Sequence, residues 1–232
     1  MNKIIAANLK MNLSYDEIKE YKKVIENSNI NFIIAPSNIY LSEMNSNIYS
    51  LCAQNGYYKD NGAYTGEVSF KQLSNIGVKY SLIGHSERRH IFNETLEDVS
   101  NKITSCIENN IMPILCVGET KDERDNGIAF DVVTNQIDSA LSGKNIKDII
   151  IAYEPVWSIG TGVIPTMDDI SLMHNHIKTI TSKYKDDVKV LYGGSVKLDN
   201  IEDISKLDSV DGVLVGGASL DPNNLIEMSK YM

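Results

Sequence analysis

The chain has 232 residues, 42% of them hydrophobic and 23% charged, an ordinary globular mix long enough to bury one large core. Its net charge of -9 argues against nucleic acid or an anionic membrane surface as the main partner, but leaves room for a small anionic substrate in a locally positive site. Cys52, Cys106 and Cys116 show neither CxxC nor metal-ligand spacing, the N-terminus MNKIIAANLKMN is no signal peptide, and no run of ~18 apolar residues spans a membrane, so the expected compartment is the cytoplasm.

Short apolar runs recur along the chain. In order they are KIIAAN (3–8), NFIIAP (31–36), YSLCAQ (49–54), KYSLIG (79–84), MPILCV (112–117), DIIIAY (148–153), VKVLYG (188–193) and GVLVGG (212–217). Runs rich in Ile, Val and Leu at successive positions predict parallel strands buried on both faces. Helical spacing of three and four lies between them: Leu96, Val99, Ile103, Cys106 and Ile107; then Phe130, Val133, Ile137 and Leu141; then Ile170, Met173, Ile177, Ile180 and Tyr184. Eight strand-and-helix repeats predict an α/β fold, a closed (β/α)8 barrel occupying residues 1–232 as one domain. A doubly wound open sheet is the competing arrangement.

Polar residues gather after the strands. Asn8 and Lys10 follow the first, Gln54-Asn55-Gly56 the third, Gly84-His85-Ser86-Glu87-Arg88 the fourth, and Gly118-Glu119 the fifth. Glu154 follows the sixth, Gly193-Gly194-Ser195 the seventh, and Gly216-Gly217 ends the eighth run. Alone, Glu154 would be a solvated loop residue, Lys10 a surface lysine and His85 a hydrogen-bonded structural histidine. Together they would share one mouth, because barrel sites are built at the C-terminal ends of the strands. His90, His174 and His176 lie in helical segments and are assigned no chemistry.

Glycine pairs let backbone N–H groups approach an anion closely, so the seventh and eighth loops predict a phosphorylated small molecule, with Ser195 and Gly217 as added donors. A carboxylate can take a proton from carbon beside a carbonyl, and Asn8, Lys10 and His85 can stabilise the oxyanion that develops. A Schiff-base lysine is the less natural alternative, since Lys10 sits beside a polar residue. There is no serine elbow, metal-ligand cluster or GxGxxG after a strand, and proton transfer without cofactor or metal fits best.

At five places, in the right order, the chain resembles the triosephosphate isomerase family. NLKMN (8–12) resembles the motif of the substrate-binding Asn and Lys. GHSERR (84–89) matches that of the electrophilic His, AYEPVWSIGTG (152–162) that of the base and its lid, and YGGSV (192–196) and GVLVGGASL (212–220) the phosphate loops. The resemblance implies that Glu154 shuttles a proton between two carbons, interconverting dihydroxyacetone phosphate and glyceraldehyde 3-phosphate through an enediolate, in glycolysis and gluconeogenesis. His85 would act as a neutral imidazole that polarises the carbonyl. Asn8, Lys10, Gly160, Ser195, Gly216 and Gly217 would hold substrate. Glu87 would partner Lys10, and Cys116 would pack near the base.

The lid would comprise Pro155, Val156, Trp157, Ser158, Ile159, Gly160, Thr161 and Gly162, and would close to exclude water from the enediolate. It contains the chain's single tryptophan. Leu9, Ser158 and Val163 depart from the usual Trp, Ala and Lys of the family. The segment 54–67 resembles the projecting third loop, which implies a homodimer with Tyr64 and Thr65 at the contact. The alternatives are another sugar-phosphate isomerase or aldolase on a phosphate-binding barrel, and a non-catalytic binding protein on the same scaffold.

Overall fold

The computed structural model describes residues 3–159 and 163–232. Each apolar run contains a strand: β1 (Ile4–Asn8), β2 (Ile33–Ala35), β3 (Ser50–Ala53), β4 (Tyr80–Ile83), β5 (Met112–Val117), β6 (Ile150–Tyr153), β7 (Lys189–Tyr192) and β8 (Gly212–Val215). They pair in sequence order, all parallel, and β8 pairs with β1 to close the barrel. Closure leaves no free sheet edge and rules out the open-sheet alternative.

The unbroken apolar runs have a simple origin. One buried cluster consists of strand residues alone, among them Ala6, Ile33, Cys52, Leu82, Ile114, Cys116, Ile150, Ala152, Leu191 and Leu214. Their strand neighbours Ala7, Ile34, Leu115, Ile151, Tyr153 and Val190 belong to the second cluster, which includes the helix residues. Side chains alternate between the faces of a strand, so a strand packed inside and out must be apolar at both parities. On β6, Ile150 and Ala152 face inward, and the same alternation puts Glu154 on the inner side at the mouth.

The three predicted helices are α4 (Leu96–Glu108), α6 (Ala129–Leu141) and α7 (Met167–Thr181). α1 (Tyr15–Ser28) and the short α2 (Phe70–Asn75), α3 (Ser86–His90), α5 (Lys121–Asp125), α8 (Ile201–Ser205) and α9 (Pro222–Met228) complete the described helices. Thr95, Thr120 and Thr166 begin α4, α5 and α7 with capping boxes. Each hydroxyl accepts the N–H of the residue three on, whose carboxylate accepts the threonine N–H.

Of the expected helix positions, Phe130 is exposed, and Leu96, Ile107 and Tyr184 are only half-buried. Phe130 is 44% exposed, its ring edge-on to His176 at 4.7 Å, because it lies in the first turn of α6, where Ala129 takes the inward place. Tyr184 lies beyond the end of α7, half-buried, and donates to Asp138 at 2.7 Å. Among the described residues no helix is long and apolar enough to cross a membrane.

Candidate active site

The carboxylate at the end of β6 is the most constrained group at the mouth. Glu154 is 2% exposed, and its N–H continues the ladder to Val117 O at 2.7 Å. The Ser86 N–H donates to Oε2 at 2.9 Å, and His85 Nε2 stands 2.9 Å from Oε1. Gly118 could not be another residue here: a Cβ would come 1.8 Å from Glu154 O.

β4 brings His85 to this point through Gly84, whose φ of +68° turns the chain in the left-handed region open to glycine. His85 then caps α3, its Nδ1 accepting the Glu87 N–H at 3.2 Å. A backbone amide can only donate, so Nδ1 carries no proton and the neutral ring bears its hydrogen on Nε2, facing Glu154. Burial opposes charge on this imidazole, but ionised Glu154 and Glu87 favour it, and its pKa is raised. Burial likewise opposes charge on Glu154. The neighbouring His85, the Ser86 N–H and Lys10 outweigh it, and the Glu154 pKa is lowered.

Lys10 follows β1 with φ +52°, an uncommon conformation for a non-glycine residue. Its N–H donates to Asn8 Oδ1 at 3.0 Å, and its carbonyl accepts Gln54 Nε2 at 2.8 Å and the Ser37 hydroxyl at 3.0 Å. These three bonds hold the turn. The ammonium meets Glu87 Oε1 at 2.7 Å, and Asn8 Nδ2 lies 3.3 Å from His85 Nε2.

A cavity of about 730 Å³ opens over these groups, lined by Asn8, Lys10, His85, Glu154, Ile159, Gly193, Gly194, Ser195, Gly216 and Gly217 among others. Among the described residues no hydrogen bond occupies the N–H of Gly194, Ser195, Gly216 or Gly217. The Ser195 hydroxyl instead donates to Ser158 O at 2.9 Å. What these loops offer an anion is backbone N–H, the donor that glycine makes approachable.

Cys116 sits on β5, fully buried, with burial pushing its thiol pKa well up. Pro155 to Ile159 run on from Glu154. The Val156 N–H donates to Glu119 O at 3.1 Å, Val156–Ser158 form one 3-10 turn, and the Ser158 hydroxyl donates to Pro155 O. Gly160, Thr161 and Gly162 lie outside the described residues. Tyr64 and Thr65 are exposed on their loop, with the Tyr64 ring 4.7 Å from that of Tyr57.

Sequence reading gave several supporting groups no role. The Ser86 amide binds Glu154, although Ser86 stands within GHSERR. Glu119 is fully buried and accepts from Tyr153 and Trp157. Arg124 and Asp169 join it in space from elsewhere in the chain. An acid two residues after β5 was the only signal in the sequence.

The family model described as triosephosphate isomerase matches residues 3–232. The chain belongs to the triosephosphate isomerase family. The triosephosphate isomerase of Alkaliphilus metalliredigens is 43% identical over 233 residues, covering 94% of each chain. Those of Aquifex aeolicus and Thermodesulfovibrio yellowstonii are 40% and 41% identical over 243 residues, covering 98% and 99% of each chain. The chain is therefore an isomerase that interconverts the triose phosphates, and the triosephosphate isomerase reading stands above the aldolase and the non-catalytic alternatives.

Proposed function

We propose that Glu154 is the base that carries a proton between C1 and C2 of dihydroxyacetone phosphate, with His85, Lys10 and Asn8 polarising the carbonyl and holding the enediolate. One observation carries this reading: a buried carboxylate and a buried imidazole stand 2.9 Å apart at the mouth of the cavity. His85 has one N–H to give, on Nε2. A substrate carbonyl that takes it releases Glu154 Oε1. The carboxylate then loses the neighbour that chiefly holds its pKa down, while its burial persists, so it becomes more basic as substrate arrives. The imidazole, freed of the carboxylate that favours its charge, stays neutral under the same burial. The substrate phosphate rests on the N–H groups of Ser195, Gly216 and Gly217, with Gly160 closing from the 155–162 lid. Glu87 holds the Lys10 ammonium, and Cys116 packs behind the base.

In deuterium oxide, glyceraldehyde 3-phosphate formed from dihydroxyacetone phosphate carries deuterium at C2, because the proton on Glu154 exchanges with solvent. Mass spectrometry of the trapped product reads this. Borohydride added with substrate leaves activity intact. Substrate-dependent inactivation would transfer the chemistry to a Lys10 Schiff base.

The proposal includes a homodimer in the cytoplasm, working in glycolysis and gluconeogenesis. A second cavity, about 270 Å³, shares Asn8, Lys10 and His85 with the first and is lined also by Met11, Gln54, Glu87 and Phe92 among others. Met11 and Phe92 on its wall are 93% and 61% exposed, large apolar surface of the kind a partner covers. The loop bearing Tyr64 and Thr65 on a second subunit is the occupant. Thr65→Arg is expected to give a monomer with little activity, and sedimentation showing a fully active monomer would defeat the dimer.

A further inference from the structure

We propose that Arg124 is a positioning residue for the reaction, tying the segment that follows the base to the start of α7. This rests on Glu154 being the base. Arg124 lies on α5, outside the cavity, and touches three groups. Its guanidinium carbon stands 4.5 Å from the centre of the Trp157 ring, its Nη1 3.4 Å from Glu119 Oε1, and its Nη2 2.6 Å from Asp169 Oδ1. Glu119 Oε1 also accepts from Trp157 Nε1 at 2.7 Å and from the Tyr153 hydroxyl at 3.1 Å. Tyr153 precedes Glu154 directly, Trp157 follows it by three residues, and Asp169 stands in the first turn of α7. One side chain thus holds both flanks of the base and the far end of the segment leading away from it.

The chemistry suits arginine in particular. A planar guanidinium can present its face to an indole while its edges meet two carboxylates. A lysine ammonium has neither the plane nor the fork. Glu119 is fully buried, and its Oε2 has no hydrogen-bond partner among the described residues. Oε1 alone therefore gathers Tyr153, Trp157 and Arg124. Asp169 divides its two oxygens, giving Oδ1 to Arg124 and Oδ2 to the Thr166 cap. The junction and the helix cap can therefore be separated by mutation.

Arg124→Gln and Arg124→Lys are compared with wild type by steady-state kinetics on dihydroxyacetone phosphate and by the fraction of turnover lost to methylglyoxal. In that side reaction the C3–O bond of the enediolate breaks, its electron pair leaves with inorganic phosphate, and the remaining enol tautomerises to methylglyoxal. Misplacing the base and loosening the cover over the intermediate should lower kcat by about 10- to 100-fold with little change in KM. The methylglyoxal fraction should rise, and Arg124→Lys should not rescue it. Asp169→Asn should share the loss, and the double variant Arg124→Gln/Asp169→Asn should be no worse than the poorer single. Thr166→Ala removes the cap alone and should keep wild-type kcat. Folding of every variant is checked by its melting temperature, and if Arg124→Gln does not fold, Asp169→Asn against Thr166→Ala decides. Folded Arg124 or Asp169 variants with wild-type kcat and methylglyoxal fraction overturn the inference, as does equal loss in Asp169→Asn and Thr166→Ala. If wild type isomerises but Glu154→Gln keeps near-native turnover, it is the reading of the base that fails instead.

Discussion

Glu154→Gln lowers the turnover of dihydroxyacetone phosphate by about 100- to 10,000-fold, the range that a general base contributes. The amide has nearly the shape of the carboxylate, and its oxygen can still accept the Ser86 N–H that now reaches Oε2 at 2.9 Å. What it cannot do is take a proton from carbon. The loops after β7 and β8, the proposed phosphate site, are untouched, so inorganic phosphate should bind the variant and wild type alike by calorimetry. A coupled assay with glyceraldehyde-3-phosphate dehydrogenase, run from dihydroxyacetone phosphate, gives turnover directly. Near-native turnover in the folded variant would reject Glu154 as the base.

Acid should destabilise the fold through a histidine that does not line the active-site cavity. His174 on α7 is completely buried, and burial lowers its pKa from 6.5 to about 4. Its Nδ1 faces Ser209 O at 3.3 Å and must carry the proton, since a carbonyl only accepts. Nε2 has no hydrogen-bond partner among the described residues. The rings of Tyr153 and Tyr192 lie 5.9 and 6.4 Å away, and Lys178, Asp211 and Lys3 are the charged groups that act on it. Between pH 6.5 and 4 the unfolded chain binds a proton here that the native chain refuses. The contribution is therefore whole above pH 6.5, falls through this window, and is gone below pH 4. At 1.36 kcal/mol per pKa unit this amounts to about 3 kcal/mol. Urea unfolding at a series of pH values should show that slope in wild type and a flatter one in His174→Gln, whatever the variant's absolute stability. Equal slopes would remove His174 from the account.

All eight strands were legible because a strand packed on both faces is apolar at successive positions, a property of neighbouring residues. Helical periodicity worked for the same local reason. It failed at Phe130, where the spacing continues past the edge of the core and Ala129 takes the buried place. The cap signals at Thr95, Thr120 and Thr166 are equally local, each a threonine with an acid three residues on.

The groups at the mouth could be collected from sequence because barrel topology sends every strand end to one place, so Asn8, Lys10, His85 and Glu154 needed only to follow strands. Their relations could not. Asn8 and His85 are 77 positions apart, and Ser86 and Glu154 are 68. Which oxygen of Glu154 meets Ser86, and which nitrogen of His85 faces Glu154, depend on the register of paired strands and on the turn at Gly84. Arg124 illustrates the limit most sharply. In sequence it is one charge in KDERD, with nothing to distinguish it from a solvated helix face. Only the packing of α5 beside the end of β6 and the start of α7 gives it an indole and two carboxylates at once. The sequence by itself determined the elements, their order and the residue types at the mouth, since these follow from local periodicity and chain direction. Distances, tautomer, shifted pKa values and the Arg124 junction were decided by the tertiary structure, because each depends on groups that only closure of the barrel brings within a few ångströms.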